Sequence, residues 1–346
     1  MCCYRARHAS RPTWQKLLSD RPSNLVREAL RLKAEQGVAG SASACPVAQG
    51  PGWKVEDVIC SSGPHDRPFE ERHDWASIAV VLSGSFTYGN ELGSHLLTPG
   101  SLLLGSAGRC FTCGHEHGEG DRCLAFHFEP AFFEELAGAA GARRMHFASN
   151  SLPALRSLAP LVARATVAAE AHGGRTTPLT GILAIPLEEL ALELAGSALE
   201  ASNAREHQSH PPSSKRDERR IAAVARFMEE RFAEPCALDG LARLAGLSPF
   251  HFLRVFRATT GLTPHQHLLR TRLRAAATIL ARSEAAVTEI ALAIGFEDLS
   301  NFTRTFRAEY RLSPLRYRAR FRGPAAKGAP RGGAPANSVT SRPSWR

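Results

Sequence analysis

The chain of 346 residues carries 43 Lys/Arg against 33 Asp/Glu, a formal charge of +10, and eight cysteines. That length exceeds one ordinary compact domain and predicts a multidomain protein of two folded units joined by helical or linker material. No apolar run approaches the roughly 20 residues of a membrane span, and Met1 to Pro12 has nothing like a secretory signal. The expectation is a cytoplasmic protein with no membrane partner, whose cysteines are mostly thiols rather than a disulfide scaffold.

In chain order, residues 1–47 open with a basic, irregular stretch, after which Trp14, Leu17, Leu18, Leu25, Val26, Leu30 and Leu32 hint at short helices. From about 48 to 135 the pattern changes to short apolar runs cut by turn residues. Ile78–Leu82, Ser85–Tyr88, His95–Thr98, Ser101–Leu104 and Cys123–Phe128 are separated by Gly84, Gly89, Pro99, Gly100 and Gly105, which predicts an antiparallel barrel or sandwich. Residues 136–201 return to helical spacing. There the face Ile182, Ile185, Leu187, Leu190, Leu194, Leu199 suits either packing onto the barrel or pairing with a second subunit, which makes a homodimer through Pro186 to Leu199 a candidate assembly. Residues 202–214 are polar and proline-rich and read as a linker. The last segment, 323–346, is rich in Gly, Pro, Ala and Arg and is expected to be disordered.

Between these, residues 215–322 hold 20 Lys/Arg against 11 Asp/Glu, so nearly all the net positive charge lies in one third of the chain. A surplus so confined favours a polyanionic partner, although a basic surface also serves solubility. The segment contains an internal repeat at an offset of about fifty residues. Ala242 to Gly246 aligns with Ala291 to Gly295, each an Ala, three residues, then a Gly. A small residue lets two helices approach, and the glycine supplies the positive φ that ends the first helix sharply. Ser248 and Asp298 are good helix N-caps, and Phe252 with Phe256, then Phe302 with Phe306, place aromatic pairs one turn apart on a buried face. Pro264 and Pro314 then open new helices. Pro264 to Arg282, about 19 residues at about 1.5 Å each, is long enough to hold the two units nearly one DNA turn apart.

These residues resemble the DNA-binding domain of the AraC/XylS family of transcription regulators. The matching positions are Ser248, Phe252, Arg254 and Phe256; Arg272, Leu273 and Ala276; and the denser run Ile290, Ala291, Gly295, Phe296, Asp298, Ser300, Phe302, Arg304, Phe306, closed by Ser313, Pro314, Tyr317 and Arg318. The resemblance implies an all-α C-terminal domain of about seven helices with two helix-turn-helix motifs. It further implies double-stranded DNA and RNA polymerase as partners, and base contacts from Phe250, Leu253, Arg254, Leu299, Ser300, Asn301, Thr303 and Arg304. With the Phe pairs placed inward, helical geometry independently turns most of these outward. Arg254 and Arg304 are suited to bidentate contact with guanine, and Phe250 and Leu253 to thymine methyls. Phe250 and Leu253 could instead pack on the connecting helix, and Arg304 could meet a phosphate. Arg272 resembles a structural position.

Many members of the family place a cupin-like sensing barrel ahead of this domain, and Leu97 to Leu104 is similar to a turn and strand of such barrels. That resemblance implies a pocket between the sheets for a small-molecule effector of unknown identity. Cys110, Cys113, His115, His117, Cys123 and His127 form an unusual cluster. His115, His117, Cys113 and Cys123 are candidate metal ligands, with a ligand-lining cluster without metal or a redox pair of Cys113 and Cys123 as the other readings. His-x-His on one strand would put both imidazoles on one face. A complete cupin ligand set is not evident, so no cofactor is required and the chain is expected not to be an enzyme. A metal-dependent cupin enzyme fused to a DNA-binding module is the alternative, and a DNA-repair methyl acceptor a third reading, disfavoured by the absence of a four-cysteine zinc pattern.

Overall fold

The computed structural model describes residues 23–115, 118–141, 146–173, 187–205 and 214–322. The expected linker core and C-terminal tail, Ile182, Ile185 and His117 lie outside the described residues. Helix α1 (Ser23–Gln36) precedes ten strands: β1 (Ala42–Gly50), β2 (Trp53–Cys60), β3 (Phe69–Arg72), β4 (Ala76–Gly84), β5 (Phe86–Asn90), β6 (Gly93–Leu97), β7 (Leu102–Gly105), β8 (Cys110–Gly114), β9 (Asp121–Phe128) and β10 (Ser151–Leu152). They form a six-stranded sheet in the order β1-β2-β9-β4-β7-β10 and a four-stranded sheet in the order β3-β8-β5-β6, with antiparallel pairing.

Strand β4 explains the unbroken apolar run that the sequence shows there. Its Ala79 and Val81 face Phe86, Tyr88, Leu97, Cys113, Cys123 and Ala125 in the core between the sheets. Its Ile78, Val80 and Leu82 face the other way, toward a second core built with helices α2 (Pro130–Ala139), α3 (Ala159–Gly173) and α4 (Leu187–Ala204). A strand buried on both faces has no polar side to alternate.

Three expectations change. The sheet begins at Ala42, ahead of 48, because β1 pairs along β2 from Ala42 to Gly50. Helix α2 runs across the expected boundary at 135, and β10 adds to the sheet beyond it. The apolar stripe on α4 does not wait for a second subunit: Leu190, Leu194, Ala198 and Leu199 are buried in the chain's own core, against the sheet and α3. The motive for a dimer through this face is thereby removed.

Seven helices fill Lys215–Arg322: α5 (Lys215–Glu230), α6 (Leu238–Ala245), α7 (Pro249–Thr260), α8 (Pro264–Arg282), α9 (Val287–Ala293), α10 (Leu299–Tyr310) and α11 (Pro314–Arg322). They make two cores. Phe252, Phe256, Leu241 and Met228 form one, and Phe302, Phe306, Ile290 and Leu273 the other. Leu268 of α8 packs against both. Apolar packing joins the halves of the chain at both helical cores. Leu96 of β6 enters the first helical core, and Ala163 of α3 enters the second.

Helix α3 is tied to the sheet by a buried ion pair. Arg122 of β9 donates to both carboxylate oxygens of Asp57 on β2, at 2.8 and 2.6 Å, and its Nη2 donates to the Ala169 carbonyl at 2.9 Å. On its other side α3 presents Glu170 to Arg282 of α8 at 2.6 Å. Burial pushes the Glu170 carboxyl up from its ordinary value, and Arg282 pulls it back. Asp57→Ala would leave the Arg122 guanidinium buried without its counter-charge, at an expected cost of about 3–5 kcal/mol. Urea unfolding of the full chain measures it, and an unchanged midpoint would deny the pair this role.

Candidate nucleic-acid interface

The two helical turns are built alike, from backbone geometry upward. Helix α6 ends at Gly246 (φ 64°), whose N–H donates to the Arg243 carbonyl while that of Leu247 donates to the Ala242 carbonyl, each at 3.0 Å. This double bond pattern satisfies carbonyls left over at the helix end. In the second copy Gly295 (φ 87°) donates to Leu292 at 3.1 Å and Phe296 to Ala291 at 3.0 Å. The Gly295 position is also crowded. A Cβ there would lie 2.5 Å from the Ala233 carbonyl oxygen, whereas at Gly246 the nearest neighbour is an Arg220 nitrogen at 4.0 Å.

Each following helix starts at once. Ser248 Oγ accepts from the His251 N–H at 3.4 Å, and Pro249 opens α7. Asp298 accepts from the Ser300 and Asn301 N–H groups, both at 2.9 Å, and these bonds hold its carboxyl below the usual carboxylate range. The aromatic pairs face inward, with ring centroids 5.5 Å apart for Phe252–Phe256 and for Phe302–Phe306. Arg272 of α8 fastens the second turn to the end of α5. It donates to the carbonyls of Phe232 (2.7 Å), Gly295 (2.9 Å) and Glu234 (3.0 Å), so its duty is internal.

With those groups buried, the outward faces of α7 and α10 follow. Phe250 is 81% exposed, which rules out packing on the connecting helix; Leu253 (37%) and Leu299 (40%) are partly open. Arg254, Arg257, Ser300, Asn301, Arg304 and Arg307 are exposed, and Thr303 is half-buried. Arg304 Nη2 donates to Asn301 Oδ1 at 3.2 Å, a contact that the sequence did not disclose.

A family model described as a helix-turn-helix domain matches residues 241–320. Across more of its length the chain is similar to the HTH-type transcriptional activator RhaS of Escherichia coli (strain SE11), 28% identical over 260 residues that cover 71% of this chain and 85% of that protein. These matches support an AraC/XylS-type transcription regulator. Solved structures similar to this chain include one from Chromobacterium violaceum with an AraC-type DNA-binding domain (28% identity, 32% of this chain and 95% of that one, TM-score 0.29). Another is ToxT from Vibrio cholerae (11% identity, 78% and 99%, TM-score 0.31).

In this chain the amino-terminal half differs from expectation in two respects. The inter-sheet space is filled by Phe86, Tyr88, Leu97 and Leu103 rather than left as a pocket. A cavity of about 790 Å³ lies instead where the sheet, α3, α5 and α8 meet, lined among others by Leu82, Pro99, Glu170, Glu229, Arg274 and Thr278. The candidate ligands are also distributed differently. Cys113 on β8 and Cys123 on β9 lie in the inter-sheet core as free thiols, while His115 sits in the loop after β8 instead of within a strand. His115 is joined there by Cys60 and Asp121, which sequence reasoning missed.

The turn glycines give a comparative prediction. Gly246→Ala should cost about 1–2 kcal/mol, the penalty of a Cβ in the left-handed region. Gly295→Ala should cost more, because its methyl also meets the Ala233 carbonyl. Denaturant unfolding of the two variants checks this, and equal losses would mean that φ alone sets the cost.

Proposed function

We propose that this regulator reads two neighbouring DNA sub-sites with α7 and α10, and that a small molecule in the cavity between the halves governs that engagement. The observation that carries the reading is the pair of capped helices, each with its aromatic pair inward and its polar or basic face open, joined by the 19-residue α8. Phe250, Leu253 and Arg254 on α7, with Leu299, Ser300, Asn301, Thr303 and Arg304 on α10, are the proposed base-reading residues. RNA polymerase as a partner and the cytoplasm as the site of action go with this role, and no helix among the described residues is long and apolar enough to cross a membrane. Nothing in the role asks for catalysis. The RhaS relative is named a transcriptional activator, which lends no support to a fused cupin enzyme.

The cavity suits an effector because both halves line it. Its volume falls within the range of small-molecule sites, and it mixes apolar wall with carboxylates and guanidinium groups. A ligand that binds one relative position of the halves better than another shifts the balance between them.

Selection of binding sites from random duplex DNA near 150 mM salt tests the first part, since low salt inflates non-specific binding. Two motifs about one helical turn apart are expected, and enrichment without a shared motif would refute the reading. Arg254→Ala and Arg304→Ala should each weaken binding to the selected site by roughly 1–3 kcal/mol, with less effect on random DNA. Equal loss on both DNAs would assign the arginine to a phosphate. For the cavity, Thr278→Trp should abolish the thermal stabilisation that a metabolite library produces in the wild-type chain, while leaving DNA binding intact. Hits that persist in Thr278→Trp would place the effector elsewhere.

A further inference from the structure

The sensor half contains a buried donor cluster that the DNA-reading role does not use. Cys60 closes β2 and Asp121 opens β9, and the antiparallel register sets the two residues directly opposite each other. His115 reaches the same spot from the end of β8, its ring stacked on Phe86 at a centroid distance of 5.8 Å. Glycine makes this convergence sterically possible. At Gly120 (φ 65°) a Cβ would stand 2.9 Å from the Cys60 carbonyl oxygen, and at Gly84 (φ 78°) one would stand 2.2 Å from the Gly120 carbonyl oxygen. All three side chains are buried, and one donor atom from each lies within 4.8 Å of the others.

An ordinary buried ion pair accounts for part of this arrangement and fails to account for the rest. His115 Nε2 lies 2.5 Å from Asp121 Oδ1, as in a simple His–Asp pair. Its Nδ1, however, is buried with no hydrogen bond of ordinary geometry among the described residues, although the side chain is only 1% exposed, and the other neighbour of the imidazole besides Asp121 is the Cys60 side chain. Leaving such an atom unmet costs about 1–3 kcal/mol. Nor does an ion pair call for the thiol of Cys60 beside it. A cation explains the whole set, since thiolate sulfur, imidazole nitrogen and carboxylate oxygen are the donors that a borderline divalent ion prefers.

We propose that Cys60, His115 and Asp121 bind a zinc-class divalent cation in the sensor half. Bonds of about 2.0–2.3 Å to a tetrahedral centre set donors about 3.5 Å apart, so side-chain rotation has to open the 2.5 Å approach of His115 Nε2 and Asp121 Oδ1 and turn Cys60 Sγ toward the ion. Cys123 Sγ donates to Asp121 Oδ2 at 3.4 Å and is placed to complete a fourth position, or to orient Asp121 from outside the coordination sphere. On binding, the thiol proton of Cys60 and the proton between His115 and Asp121 leave to solvent, so two negative donors and one neutral imidazole meet the ion.

The test uses the untagged full-length chain, stripped with chelator under reducing conditions and reloaded with Zn²⁺ or Co²⁺. One tightly held equivalent is expected by elemental analysis, and the cobalt form should show a thiolate-to-metal charge-transfer band with intense visible absorption. Cys60→Ser and His115→Gln should weaken zinc binding by more than about tenfold, and Cys60→Ser should reduce the charge-transfer band. Cys45→Ser, an exposed thiol on β1, should change neither. A wild-type chain that holds no metal after reloading, or a cobalt form without a sulfur band, overturns the proposal without recourse to any variant. So does metal content that survives both Cys60→Ser and His115→Gln in chains whose circular dichroism matches wild type.

Discussion

The architecture depends on helix α3 being gripped from two sides. On one side the buried Arg122 spans Asp57 and the Ala169 carbonyl, which fixes the helix to the six-stranded sheet. On the other, Glu170 meets Arg282 and Ala163 enters the core around Phe302 and Phe306. One helix therefore belongs to the packing of both halves. A charge as deeply buried as Arg122 is costly unless it is paired and hydrogen-bonded, and here the partners that satisfy it are also the parts that have to be aligned. The cavity is lined by α3 together with the sheet and α8.

The two helix-turn-helix units share a plan but not an anchorage. The first rests on β6 through Leu96, and Gly261 at the end of α7 comes close to Pro153. The second rests on α3 and carries a larger aromatic cluster, in which Phe306, Tyr310, Tyr317 and Phe321 meet in succession as tilted ring pairs. Their ends differ too, since α7 stops at Gly261 and α10 at Arg311, a non-glycine residue in the left-handed region at φ 61°. The two units share the residues that set turn and core and differ on the surfaces that face the amino-terminal half.

What the sequence disclosed follows from how local each feature is. Helix ends, caps and Phe pairs in Lys215–Arg322 depend on residues within one or two turns, so their spacing alone exposes them. Strand β1 was missed because its Ala, Ser, Pro and Gly are mostly exposed at the sheet edge and show no alternation. The destination of the α4 stripe was open because apolar spacing says which face is buried and not what buries it. Cys60 and Asp121 escaped notice for a related reason. They are far apart in sequence, and only the β2–β9 register sets them opposite each other, whereas the denser His/Cys run near 115 drew attention to neighbours in the chain. The cavity was illegible because elements far apart in sequence, from α1 to α11, make its walls.

Leu268 takes part in both helical cores, so α8 is less a tether than a common wall of the two units. That has a bearing on the spacing of any operator with two sub-sites. Each base pair inserted between them rotates the second groove by about 35° and displaces it by about 3.4 Å along the duplex. A flexible linker absorbs such changes, but a shared wall transmits them as strain to protein or DNA. The geometry of this helix thus acts as a ruler, and a promoter answers to it through the phase of its two sub-sites as well as through their bases.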